Sequence, residues 1–131
     1  MAQTSRMIRK NILSISAGLI ILYLSLASSE TFNKIHVFHF RGMDKVVHFA
    51  MYAVFTGVIL YENRKRIQTG GHLFLAAIIP FIFGAVLEFL QSLLTTTRTG
   101  SIYDLLCNLL GIVFSVVIYL LVRNLKKERI R

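Results

Sequence analysis

Residues 73–94 read LFLAAIIPFIFGAVLEFLQSLL, an apolar run of 22 residues interrupted by Pro80, Gly84, Glu88 and Gln91. As a helix the run extends about 33 Å, enough to cross a hydrocarbon core about 30 Å thick. Glu88 sits well inside it, where a charge is costly unless paired or solvated. The run therefore predicts a transmembrane helix and, with it, a polar partner for Glu88.

Three further segments extend the pattern. Residues 102–122 are apolar over 21 positions apart from Asp104, Asn108 and one serine. Residues 12–26 are apolar apart from serines, and extending them to Ser29 gives 18 residues, about 27 Å of helix. Residues 46–60 are shorter and span only if Asp44, Lys45, Tyr61 and Glu62 occupy the two interfaces. A lipid-exposed backbone must satisfy its own hydrogen bonds, and no alternating ten-residue strands occur, so the spans are helical. The sequence predicts an all-α, integral membrane four-helix transmembrane bundle. It is a single domain over 1–131, with helices at about 11–29, 44–62, 72–94 and 102–123. The first segment also has the look of a cleaved leader, with Arg6, Arg9 and Lys10 before it and Ala27, Ser28 and Ser29 after it. Its apolar run is long for a leader, and its removal would leave three helices to shield several charges.

Composition agrees. Of 131 residues, 55% are hydrophobic and 16% charged, which is a membrane composition with no room for a soluble domain. The net charge of +9 does not point to nucleic acid, because the basic residues flank apolar segments and are not interleaved with stacking aromatics. Eleven of the 15 lysines and arginines lie before the first helix, at residues 64–66 or at 123–131; Lys34, Arg41, Lys45 and Arg98 lie between the other ends. The positive-inside rule then places the chain as a multi-pass membrane protein with both termini cytoplasmic. Cys107 is the single cysteine and can form no intrachain disulfide. Imidazole and carboxylate from His36, His39 or His48 with Glu88 or Asp104 would suit a metal, but no spacing such as HExxH supports one. No metal and no cofactor is expected.

On this topology the ionisable residues converge. Asp44 and His48 open the second helix at its outer end, Glu88 and Gln91 close the third, and Asp104 and Asn108 open the fourth. Each pair is spaced i,i+3 or i,i+4 and so shares one helix face. Turning those faces inward is far cheaper than exposing them to lipid. Arg98, in the short hydroxyl-rich loop at residues 95–101, would sit above the cluster with a fork suited to carboxylate or phosphate, and Lys45 supplies a second cation. Local structural roles compete with this reading. Ser101 and Asp104 fit a capping box, and Asp44 fits an N-cap. Glu88 has no such role. Tyr52, one turn below His48, and Cys107 read as packing residues. Residues 32–40, with His36 and His39 among aromatics, read as an interfacial stretch on the outer leaflet.

The run Asp44-Lys45-Val46-Val47-His48 through Tyr52, then Glu88-Phe89-Leu90-Gln91, then Arg98-Thr99-Gly100-Ser101 through Asp104 to Asn108 and Gly111, resembles VanZ-like proteins over about residues 40–115. The chain departs from them at Val86 and Leu87, where the family often carries a further acidic or polar residue. Such proteins are small, integral and bacterial, and are named for a member associated with low-level resistance to teicoplanin, a lipoglycopeptide antibiotic. The resemblance implies that the outer cluster is the shared feature and that its partner is amphiphilic.

Two functions follow as expectations. The first is a site for a headgroup of a membrane lipid, a lipid-linked cell-wall precursor or a lipoglycopeptide, with Lys45, Glu88, Gln91, Arg98 and Asn108 binding it. The second is an enzyme that hydrolyses or transfers such a headgroup. There His48 acts as general base, Asp44 or Asp104 orients it, Arg98 stabilises the oxyanion, and Ser101 is the one nucleophile in reach. Proton-coupled transport is disfavoured, since the polar groups occupy one side only. Gly84, Ala85 and Gly111 are compatible with close helix contacts and with a homo-oligomer. The topology has a direct check: Thr96→Cys should react with an impermeant thiol reagent in intact cells, and labelling only after lysis would reverse the orientation.

Overall fold

A computed structural model describes residues 10–26, 42–94 and 101–129. Four helices follow in order: α1 (Ile12–Leu26), α2 (Met43–Glu62), α3 (Gly70–Leu94) and α4 (Ile102–Glu128). Among the described residues there is no strand. Helices α2, α3 and α4 are long and apolar enough to cross a membrane, while α1 is apolar but only 15 residues long. Its expected extension over residues 27–29 falls outside the described residues, as do Lys34, His36, His39, Arg41 and Arg98.

Two boundaries differ from expectation. Helix α4 continues past Arg123 into the basic tail, because residues 124–128 contain no breaker, and Lys126 and Lys127 suit the negative end of the helix dipole. Helix α2 is not N-capped by Asp44. Its N-cap is Gly42, whose φ of 103° is left-handed and which makes no side-chain cap bond. That backbone conformation favours glycine, and Asp44 falls one position inside, in the first turn.

Contacts at the two ends fix an up-and-down course. At one end Glu62 of α2 meets the start of α1, and Arg123 of α4 meets the α2–α3 connection. At the other, Gln91 of α3 meets the end of α1, and His48 of α2 meets Asn108 of α4. Helices α2 and α4 therefore run parallel, each antiparallel to α3, and they form the most extensive contact in the bundle. Its centre is Gly111. A Cβ there would fall 2.9 Å from the Ala53 backbone nitrogen and closer still to the Phe49 carbonyl oxygen. One turn on, Ser115 Oγ donates to the Ala53 carbonyl at 2.5 Å. Small residues four apart on both helices bring two backbones into contact, which is how membrane helices gain packing when lipid removes the hydrophobic incentive. Phe49 and Phe114 flank this crossing with ring centroids 5.6 Å apart.

Helix α1 is attached by a borrowed cap. Glu62 Oε1 accepts from the Leu13 backbone N–H at 2.9 Å, and Oε2 accepts from the Ser14 N–H at 2.9 Å and from the Ser14 hydroxyl. These are N–H groups that a helix start leaves without intrahelical partners, so a carboxylate from another helix takes the N-cap's role. The buried apolar core includes Ile21, Phe55, Ile59, Leu60 and Leu87, with Phe55 and Phe83 rings 5.5 Å apart. Outside, Leu19, Tyr23, Val54, Phe74, Phe89 and Leu110 are exposed. An apolar exterior around a partly polar interior is the arrangement lipid requires.

Gly111→Ala should lower stability by about 1–3 kcal/mol, the usual cost of overpacking. Gly57→Ala, whose added methyl would find nothing nearer than Ser115 Oγ at 3.8 Å, should change it little. Thermal melts of the two variants in detergent test the pair; equal melting points would refute the close α2–α4 crossing.

Candidate functional site

Seven polar residues are buried in the described structure, and six of them lie at one end: Ser25, His48, Glu88, Gln91, Asp104 and Asn108. Thr56 is the seventh, deeper on α2. Of the residues predicted to converge, His48, Glu88, Asp104 and Asn108 come together, while Asp44 is exposed beside them and Gln91 faces α1. His48 is placed by α2, Glu88 and Gln91 by α3, and Asp104 and Asn108 by α4.

Glu88 holds the centre. Its Oε1 lies 3.4 Å from His48 Nδ1, and its Oε2 accepts from the backbone N–H of Ser101 at 3.1 Å. The carboxylate thus joins α3 to α2 and to the start of α4. This corrects the expected capping box. Ser101 is the N-cap and its hydroxyl accepts from the Tyr103 N–H at 3.2 Å, but the Ser101 backbone N–H donates to Glu88, whereas the box would reserve it for Asp104.

His48 is held on two sides. Asn108 Oδ1 lies 3.1 Å from Nδ1, the same nitrogen that faces Glu88. Asn108 Oδ1 is an acceptor, so Nδ1 carries a proton and donates to it, with the Glu88 carboxylate at ion-pair distance from the same nitrogen. The ring is 4% exposed. Beneath it Tyr52, 1% exposed, lays its ring against Gly84, where an added Cβ would come within 2.9 Å of Tyr52 Cε1. Gly84 precedes Glu88 by one turn, so a glycine in α3 admits the tyrosine that floors the site.

One ligand atom from each of Asp44, His48 and Asp104 lies within 4.8 Å of the others. Two carboxylates and an imidazole in that arrangement suit a divalent cation chemically. Asp104 and His48 are buried, Asp44 exposed. Lys45 stands at the rim with its ammonium 5.0 Å from the Tyr103 ring centroid, a cation–π contact. Gln91 turns the other way and donates from Nε2 to the Ser25 carbonyl at 2.7 Å, tying α3 to the end of α1. Arg98 lies outside the described residues.

Sequence reasoning gave no role to the Ser25 carbonyl or the Ser101 backbone N–H, since main-chain groups carry no residue signal. It did not single out Thr56, a lone hydroxyl in an apolar run. Two buried atoms have no hydrogen-bond partner among the described residues: Thr56 Oγ1 and Asn108 Nδ2. The second belongs to the cluster.

Comparison with curated proteins and with solved structures found no match to this chain. The sequence model of the VanZ/LLP1 family matches residues 2–123. That span contains every polar residue of the cluster and nearly the whole bundle, and the chain, a membrane-type protein of four apolar helices, belongs to the VanZ/LLP1 family.

Proposed function

We propose that the polar end of the bundle binds the head of an amphiphile: a membrane lipid, a lipid-linked cell-wall precursor or a lipoglycopeptide such as teicoplanin. The observation that carries this reading is Asn108 Nδ2, an amide donor on a residue 1% exposed, beside His48 and without a partner among the described residues. Such a donor costs about 1–3 kcal/mol when left unpaired, and a ligand oxygen would recover that cost. Lys45 and Arg98 supply cations for a phosphate or carboxylate, and Asp104 serves amine or hydroxyl groups. Glu88 and Gln91, whose contacts join helices, keep the walls in register. An apolar groove of about 320 Å³ between α3 and α4 starts at Leu109, next to Asn108, and continues past Phe81 and Val113 to Val117. An acyl chain lying there would place its head at the cluster. With the cluster at the outer face of a bacterial inner membrane and both termini cytoplasmic, as the distribution of lysine and arginine indicates, the protein would act on envelope composition or antibiotic resistance.

One observation favours a second reading, hydrolysis or transfer of the same headgroup. His48 Nδ1 donates to Asn108 and faces Glu88 at ion-pair distance, which orients the ring; in its neutral form Nε2 would be the general base. Glu88 and Asn108 then do the orienting, and Asp44 and Asp104 stand near enough to stabilise the imidazolium.

The binding reading is tested by mass spectrometry of lipids that co-purify with the protein. The Glu88→Gln, Arg98→Ala double variant should lose at least tenfold of the bound headgroup species, about 1.4 kcal/mol of affinity; undiminished retention would overturn the site. His48→Ala at equal expression separates the readings. It should abolish turnover of a labelled headgroup lipid if the protein is an enzyme, and only weaken retention if it binds. An unaltered lipid pool with unaltered resistance would defeat both.

A further inference from the structure

We propose that the opposite end of the bundle holds a second lipid, an anionic glycerophospholipid seated between α2 and α4. A cleft of about 680 Å³ opens there. Its floor is apolar, formed by Leu60, Phe114, Ile118 and Val122 with Gly57. Gly57 lines the cleft: an added Cβ would make one ordinary contact, with Ser115 Oγ at 3.8 Å, so a larger side chain there would extend into the cleft.

The rim carries four cations, Arg64, Lys65, Arg123 and Lys126, and no carboxylate lines the cleft. Two acids stand at this end outside the lining: Glu62, which is engaged with the start of α1, and Glu128, at the last turn of α4. Both arginines are held in place by the main chain. Arg64 Nη1 donates to the Tyr61 carbonyl at 2.8 Å, and its guanidinium lies 4.3 Å from the Tyr61 ring centroid. Arg123 donates from Nη1 and Nη2 to the carbonyls of Ile67 and Gln68, each at 3.4 Å. A guanidinium has five N–H donors, so each keeps donors for an anion after these bonds. Lys65 and Lys126 stand exposed on flexible stems.

Charge and shape together select the occupant. A soluble anion such as inorganic phosphate would use the rim but leave the apolar floor unused. A zwitterionic lipid would bring its own ammonium against four cations. An anionic phospholipid satisfies both parts, with its phosphate and polar head at the rim and an acyl chain over the Gly57 gap. The cleft sits where α2 ends and α4 leaves its apolar stretch, the depth at which headgroups lie. Basic pockets between transmembrane helices on the cytoplasmic side are suited to anionic heads.

The full-length protein in detergent, probed by native mass spectrometry with phosphatidylglycerol, phosphatidylcholine and inorganic phosphate, tests this. The wild type should retain phosphatidylglycerol at least tenfold better than phosphatidylcholine, and excess phosphate should not displace it. The Lys65→Gln, Lys126→Gln variant should lose at least tenfold of that retention. Gly57→Leu, which fills the floor and leaves every charge in place, should do the same. Lys127→Gln removes a charge at the same end outside the cleft and should stay within twofold of wild type. Equal retention of the two lipids, displacement by phosphate, an undiminished Gly57→Leu variant, or equal losses from Lys127→Gln and the double variant would each overturn the proposal.

Discussion

A carboxylate inside a membrane bundle is tolerable only if the protein surrounds it with donors, and the polar end of this chain is organised around that requirement. Glu88 accepts a hydrogen bond from the main chain at the start of α4 and lies 3.4 Å from the His48 ring nitrogen on α2. The same two contacts that make its burial acceptable also bring three helices to a common point. Removing the carboxylate would leave an imidazole N–H with one acceptor and a helix start with one fewer. The charge and the packing at this end are therefore a single problem with a single solution.

The parallel α2–α4 pair supplies the rest. Its backbones touch at Gly111 and Ala53, and polar contacts line up along the pair on both sides of that crossing: Ser115 on the Ala53 carbonyl below it, and Asn108 on His48, then Lys45 over Tyr103, above it. These pairs follow the helix repeat, so a register shift of one helix against the other would break all of them together. Helix α1 is held differently, by hydrogen bonds at its two ends from Glu62 and Gln91.

Much of this was legible in the sequence. The four apolar runs, their alternating direction and the convergence of His48, Glu88, Asp104 and Asn108 follow from length, spacing and the cost of charge in lipid. What could not be read is who bonds whom. Asp44 and Ser101-Asp104 matched local capping patterns, but a cap is decided by backbone angles, and Gly42 and Glu88 took those roles. Gly84 and Gly111 mark close approach in the sequence and are compatible with self-association. Within the chain they receive the Tyr52 ring and the α2 backbone. Glu62 looked like an interfacial acid because its partners, the N–H groups of Leu13 and Ser14, are invisible to a pattern of side chains.

The glycine contact at Gly111 has a mechanical meaning. Asp44, His48, Asp104 and Asn108 all stand on the two helices it clamps, at a separation set by main-chain atoms that cannot be compressed. Glu88 stands on α3, whose spacing from that pair is set by side chains such as Tyr52. The cluster thus consists of a stiff half and a compliant half. Bilayer thickness or tension that tilts α3 would be felt as a change in the Glu88 to His48 distance, with the His48 to Asn108 distance acting as the fixed reference.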